Sequence, residues 1–424
     1  MLLTHQALYY LLLSMSAAAD IDPGYNITTT IQSMLQLAKK SWEYGTISEA
    51  FLELHNPSLS VFSPTAFPHN LIPSVSQSTG ALAYAKQYIH TNAQTLFPDP
   101  TVGDPASLGV ACILLGQTDE VYLRAAERQA EYILTQAPRW GNGAISHRRE
   151  EMELWADNVA MSMPFLAYLA VQQKNVTLME EMVTQCRLYR AVLQTSASLN
   201  WQHIIGVEPK DPGFWSTGNG WACFGMVRVL HTLQNWPGSA LMSSQAEELK
   251  SWIREILDGA TQSPYVDGLL PNYLHDTSSF GEISGTALLT ACAYRMAVND
   301  PEMFGDKYVD WADRNRAAIS GRQRPDGVFT PAANPYSWKD TEPYYEGSPE
   351  GQAFAIYLYT AYRDCVNAGL CQSSTSAATA KSGGDIGSID ISSMLDNAVI
   401  YAEMAGPDPN GSGSGPDQSS DVKE

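Results

Sequence analysis

Positive charge is what this chain lacks most. Its 424 residues hold 25 Lys and Arg against 45 Asp and Glu, a formal net charge of -20. With no surplus of cations to neutralise phosphates, a nucleic-acid partner is excluded. Cysteine is scarce too. The six cysteines, at 112, 186, 223, 292, 365 and 371, are scattered, and none pairs at zinc-knuckle spacing. Beyond the first residues no run of about 18 apolar residues appears, which predicts no membrane span and no stable membrane association. Glycine does not recur at every third position, so a collagen-like chain is excluded. Also missing are His-Glu-x-x-His, a calcium loop, a phosphate-cradling Gly-rich loop followed by Lys-Ser/Thr, and a Gly-x-Ser-x-Gly nucleophile turn. The economical enzyme on these terms works with carboxylate, histidine and water, using no metal and no cofactor.

What is present is a core-forming composition. Hydrophobic residues make up 44 % of the chain and aromatics 10 %, enough for one large domain or two ordinary ones. The 10 Trp and 21 Tyr suit a cleft that stacks on sugar rings, although packing alone accounts for most such residues.

Residues 2–19 are mostly apolar and end in Ser16, Ala17, Ala18 and Ala19. The run from Leu8 to Met15 reads as the apolar segment of a secretory leader, residues 1–19, even though its start offers His5 and no Lys or Arg. Sequons at Asn26, Asn175 and Asn410 agree with a secreted, extracellular glycoprotein. Cys365 and Cys371 are near enough in sequence to close a short loop after a helix. The other four cysteines sit in apolar helical runs and read as buried free thiols.

Helical periodicity dominates residues 20–371. Ile31, Leu35, Ala38 and Trp42 recur at helical spacing, and further helices are expected over 76–93, 105–117, 120–136, 157–173, 176–196, 220–235, 243–260, 284–298, 304–319 and 350–364. Ser243 to Glu247 gives a polar helix opening. Short Gly- or Pro-rich joints separate the helices, among them Asp211-Pro212-Gly213. Short joints favour antiparallel hairpins. Closing six of them into a ring gives an all-α (α/α)6 toroid, with 120–136 suited to an outer helix and 156–170 to an inner one. A superhelical array of helix pairs is the competing layout. Residues 372–424 read as a low-complexity linker, a possible short helix over 387–405 and a disordered tail.

The chemistry gathers in the joints. Gly141-Asn142-Gly143 leads through His147, Arg148 and Arg149 to Trp155 and Asp157, at the start of an apolar helix. Asp157 there is a helix cap or an acid in a partly buried cleft; burial would raise its pKa, and the helix end and the arginines would lower it. In Phe214-Trp215-Ser216-Thr217-Gly218-Asn219-Gly220-Trp221, two indoles flank a Gly-Asn-Gly turn, which serves equally for close ligand approach or for packing. Asp104 and Glu282 each stand where a helix cap is expected, and His203 fits the core as well as a site. Glu342, Tyr344, Tyr345, Glu346 and Glu350 form an acidic, aromatic joint that lines a cleft or faces solvent.

Taken in order, these motifs resemble the unsaturated rhamnogalacturonyl hydrolase family, within the six-hairpin glycosidases, and more distantly the unsaturated glucuronyl hydrolases. The resemblance spans about residues 30 to 365. It rests on Gly143 to His147, Trp155-x-Asp157 with Pro164-Phe165-Leu166, Phe214-Trp215 with Gly218-Asn219-Gly220-Trp221, Glu282-x-Ser284, and Gly351-x-Ala353-Phe354. It implies hydration of a C4–C5 double bond in the uronyl end of an oligosaccharide left by a pectin lyase. In that scheme Asp157 is the general acid/base, Asp104 the second carboxylate, and His203 the histidine that holds sugar or water. His147, Arg148, Trp155, Trp215, Thr217, Asn219 and Trp221 are the implied substrate contacts, and a monomer without cofactor or metal is implied. One departure stands out: the family's Arg before Gly-Asn-Gly is Thr217 here. That leaves the uronate's charge to Arg148 or Arg149, or to a different substrate. The alternatives carried forward are another (α/α)6 glycosidase, such as an endo-mannanase type, and a non-catalytic carbohydrate-binding protein.

Overall fold

A computed structural model of the chain describes residues 21–373, apart from 196, 197 and 209. The leader, the sequon at Asn410 and the expected linker, short helix and tail from 374 onward lie outside the described residues.

The described chain is an (α/α)6 toroid. Its inner helices are α2 (Ser41–His55), α4 (Gly109–Gly116), α7 (Met163–Gln173), α9 (Ser216–Asn235), α11 (Ile283–Asn299) and α13 (Pro349–Asn367). Each packs on the next, and α13 returns to α2 and closes the ring. The outer helices are α1 (Ile27–Leu37), α3 (Gly80–Lys86), α5 (Glu120–Glu131), α8 (Val176–Leu193), α10 (Ser243–Gln262) and α12 (Asp306–Ser320). A short α6 (Asn158–Met161) leads into α7.

Sequence pattern decides which helix goes where. Every residue of α11 from Ile283 to Ala297 is buried, and these are mostly small or apolar. Small residues let inner helices touch: a methyl group on Gly285 would lie 2.3 Å from Ser216 Oγ and 2.5 Å from Thr217 N. In α10 burial falls on Ala246, Leu249, Trp252, Ile253, Ile256, Leu257 and Ala260, one face of an amphipathic outer helix. The barrel's polar interior is paired. Arg228 meets Glu49, and Arg295 meets both Glu53 and Asp364.

Several boundaries differ from the sequence reading. The helix expected through Trp42 breaks at 38–40, because Glu43 folds back to accept the N–H groups of Lys39 and Lys40 at 2.5 and 2.8 Å and starts α2 afresh. The expected 157–173 helix is interrupted before Met163, where Pro164 lacks the N–H that would continue it. The Gly-Asn-Gly segment is no turn: it forms the opening of α9, which begins at Ser216. The 76–93 helix is confined to 80–86. Ser243 is the first helical residue of α10 and makes no side-chain cap bond. Glu282, by contrast, does cap α11, accepting from Ser284 N and Gly285 N at 2.8 and 2.5 Å. Cys365 and Cys371 are bridged, with a Cα–Cα separation of 5.3 Å, and the other four cysteines are buried free thiols.

Candidate active site

At the end of the toroid where α9, α11 and α13 begin, loops are stitched together by short antiparallel pairings. Strand β1 (Leu154–Trp155) pairs with β2 (Ile204–Ile205). The pairing continues through Ala156 N to His203 O at 3.0 Å, His203 N to Gly213 O at 2.9 Å, and Val102 N to His147 O at 2.8 Å. These bonds fix the backbones of the chemically active residues although none lies inside a long element. A site on such loops needs this support to hold its side chains still.

Asp157 occupies the residue before α6. Its side chain is 15 % exposed, and its Oδ2 lies 3.6 Å from His203 Nε2. Both of those atoms are buried and have no other partner. On the far side of the ring, His203 Nδ1 is 2.7 Å from Asp211 Oδ2. Asp211 also accepts from Tyr273 Oη at 2.8 Å and from Gly213 N at 3.0 Å. Asp104 faces His147, with Oδ1 3.7 Å from Nε2.

Indoles hold these groups in place. Trp155 lies between the two histidines, its centroid 5.0 Å from His147 and 5.5 Å from His203. Trp215 covers the other side of His203 at 4.3 Å, and its Nε1 donates to Asn272 Oδ1 at 3.0 Å. The absence of a side chain at Gly218 makes this possible: a Cβ there would sit 3.0 Å from the Trp215 ring and 3.6 Å from His203 Cδ2. Arg148 stands over Trp155, its Cζ 5.0 Å from the ring centroid, and remains 33 % exposed.

Burial sets the electrostatics. Loss of hydration raises the pKa of Asp157, opposed by His203. Asp104 is raised well above the usual carboxylate range by burial first, then by Asp99 and Asp157. Glu350, from the acidic joint, is raised by burial and by the charges of Glu43 and Asp157; it accepts from Trp42 Nε1 at 2.8 Å. Asp211 goes the other way. Burial works against its charge, but His203, Tyr273 and Gly213 together hold it below the ordinary value. His147 is pushed down to about 3 by burial and by Arg148, so it is neutral.

The structure thus brings together Asp157, Asp104, His203, His147, Trp155, Trp215 and Arg148. It does not bring the remaining candidates to the cleft. Thr217 is fully buried and donates to Glu282 Oε2 at 3.1 Å. Asn219 is fully buried and spends its amide on Trp201 N, Trp201 O and Trp215 O, pinning the start of α9 to its neighbouring loop. Trp221 packs edge-on against Phe354 and lines an interior cavity beside Glu49 and Arg228. The cause is shared: the segment is helical, so its residues turn inward rather than around a loop. Arg149 is likewise engaged, donating to Thr101 O at 3.0 Å and lying over Tyr132. Asp211 was read only as part of a Gly/Pro joint. Its bond to Gly213 N is the local signature of such a turn, and nothing in the sequence shows that its other oxygen reaches His203. Among the described residues, no cluster of three or more His, Cys, Asp or Glu side chains is arranged to hold a metal ion.

Known proteins resemble this chain in sequence and in fold. The family model of Glycosyl Hydrolase Family 88 matches residues 76–361. A Bacillus subtilis (strain 168) protein named unsaturated rhamnogalacturonyl hydrolase YesR is 25 % identical over 236 residues, which are 53 % of this chain and 64 % of that protein. The chain therefore spans less than two thirds of that relative's length. Among solved structures, a possible GH105 family member from Klebsiella pneumoniae subsp. pneumoniae MGH 78578 superposes with a TM-score of 0.66 at 16 % identity, covering 80 % of this chain and 92 % of that one. A glycoside hydrolase of family 105 from C. acetobutylicum ATCC 824 gives 0.61 at 12 % identity, covering 80 % and 99 %. At these identities the structural likeness speaks for the fold.

Proposed function

The chain belongs to Glycosyl Hydrolase Family 88, and from that premise we propose that it hydrolyses oligosaccharides ending in a C4–C5 unsaturated uronyl residue, the products of a pectin or rhamnogalacturonan lyase. The observation that carries this reading is the placement of Asp157. One oxygen faces His203, whose ring Trp155 and Trp215 flank, and the Asp157 side chain keeps 15 % exposure through which a sugar can reach it. Burial raises the pKa of this carboxyl and so favours the protonated form that an acid needs.

In this mechanism Asp157 delivers its proton to C4, and positive charge develops at C5. Water adds to C5 and returns a proton to the Asp157 carboxylate. The resulting hemiketal opens at the bond from C5 to the ring oxygen, giving a C5 ketone, and the hemiacetal this leaves at C1 then collapses to an aldehyde, its hydroxyl proton leaving with the neighbouring sugar. Asp104, whose pKa burial raises, hydrogen-bonds the sugar, and neutral His147 orients it. With Thr217 enclosed, Arg148 is the cation placed to meet the uronate, over the face of Trp155.

Export of the enzyme is part of the same proposal. The leader-like segment 1–19, the Cys365–Cys371 bridge and the exposed sequons at Asn26 and Asn175 support it. The test is a panel of lyase-made unsaturated disaccharides, scored by loss of the alkene's ultraviolet absorbance. Loss with at least one of them is expected. Release of sugar only from saturated polymers would overturn the reading, as would sugar binding without turnover.

A further inference from the structure

We propose that Asp211 is a positioning residue: it fixes His203 in the tautomer with hydrogen on Nδ1, so that a bare Nε2 faces Asp157 and keeps the transferable proton on that carboxyl. The inference rests on the hydration reading above and adds a residue to it.

The argument starts from donors and acceptors. Asp211 Oδ2 lies 2.7 Å from His203 Nδ1. Tyr273 Oη and Gly213 N both donate to the same carboxylate and with His203 hold its pKa below the ordinary value, so Asp211 is ionised and only accepts. Nδ1 must therefore carry the hydrogen. In a neutral ring Nε2 is then an acceptor, and it points at Asp157 Oδ2 from 3.6 Å. Neither atom has another partner, and both are buried. Two bare acceptors facing each other in a dry site repel; a proton on Asp157 turns the pair into donor and acceptor. That proton is the one C4 receives. Once it has left, the carboxylate again faces a lone pair. It stays basic enough to take a proton from the attacking water.

Other charged groups act on the same pair. Asp104, Glu350 and Asp211 are the acids whose fields reach Asp157, and Tyr189 lies near it. His147 lies across Trp155 from His203, with Arg148 over the same indole. These groups set where the alkaline limb of the pH profile falls. Asp211 sets which nitrogen of His203 bears hydrogen.

Asp211→Asn separates the two roles. Gly213 N–H requires an acceptor at the Oδ1 position, so the new amide keeps its oxygen there and turns its NH2 to His203 Nδ1. The imidazole hydrogen moves to Nε2 and donates to the Asp157 carboxylate, stabilising the ionised form. The alkaline limb of kcat should then shift to lower pH. At neutral pH kcat should fall about 10²-fold, with KM changed less than about threefold, since no sugar contact is lost. Nitrogen-15 shifts of His203 give a readout that needs neither substrate nor a folded variant: Nδ1–H in the wild type, and Nε2–H in Asp211→Asn if it folds. Hydrogen on Nε2 in the wild type would overturn the inference. So would an Asp211→Asn enzyme that loses thermal stability and activity while its alkaline limb stays in place. If the wild type turns over no unsaturated uronide yet shows the Nδ1–H tautomer, the proposed reaction fails and the tautomer assignment stands.

Discussion

His147 and His203 flank one indole, each with a carboxylate facing its Nε2, at 3.7 and 3.6 Å. They differ in what lies behind them. His203 has the anion Asp211 bonded to Nδ1, whereas the side chain that hydrogen-bonds His147 is the uncharged amide of Asn158. The consequence is chemical. A ring whose Nδ1–H is bonded to an anion presents a fixed acceptor to the carboxyl in front of it. A ring with no such support, buried next to Arg148, stays neutral and acts by shape and hydrogen bonding. On the proposed reading, one half of the site moves a proton and the other holds a sugar. The same division separates the two carboxylates, Asp157 in the proton-handling half and Asp104 in the holding half.

Asp157→Asn tests that division hardest. The amide keeps the shape and cannot deliver a proton to carbon, so kcat should fall by about 10³-fold or more, while binding of an unsaturated disaccharide, measured by calorimetry, persists. Turnover within tenfold of wild type would place the acid elsewhere. Asp104→Asn should cost less, about 10²-fold, and should also separate stability from activity. The folded state holds the Asp104 proton to higher pH than the unfolded chain does. Its contribution to stability is therefore present at low pH and lost as pH rises through the folded pKa. Replacing it should raise Tm at pH 8 by about 2 °C and leave Tm at pH 4 nearly unchanged. An equal change at both pH values would mean that packing, not ionisation, governs this residue. His147→Gln should raise KM about tenfold, with both limbs of the pH profile unmoved. The imidazole gains its proton only near pH 3, below the working range, so no limb between pH 4 and 9 belongs to it. A displaced limb would make His147 a second proton carrier and erase the contrast with His203.

Some of this was open to a reader of the sequence, for physical reasons. Helix identity and inner or outer placement follow from local periodicity, as the buried run of α11 and the single buried face of α10 show. Asp157 and Trp155 were legible because they stand in one short motif at the start of α6, whereas His203, in a loop beside β2, is marked only by the family resemblance. Asp211 was not, since its role depends on a partner eight residues away across a loop crossing that no local rule describes. Thr217, Asn219 and Trp221 misled because glycines on either side of Asn219 suggested a turn. Instead the segment is helical, with Gly220 close against Leu288 of α11 and Gly218 close against Trp215, and the helix turns the three side chains into the core. Glu282, read as a cap, is more than that: it accepts from Thr217 Oγ1 and Ala333 N as well, joining the starts of two inner helices to the 333 loop.

Arg148 gives the finest test, because it borders both halves. Its guanidinium lies on the Trp155 face with Nε 3.8 Å from Glu153 Oε2, and Glu153 in turn accepts from Trp155 Nε1 at 2.7 Å and pairs with Lys210 at 2.6 Å. This frame holds the planar group at an angle set by the ring, with one edge left for a carboxylate. Arg148→Lys keeps the charge and gives up the paired donors and the flat stacking surface. KM for an unsaturated uronide should rise about threefold, with kcat and both pH limbs unchanged, since no proton passes through this side chain. A methyl ester of the same sugar carries no charge, so the difference between the wild type and the Arg148→Lys enzyme should vanish with it. If the ester suffers equally, Arg148 supports Trp155 rather than the uronate, and the anion must be held by another part of the cleft.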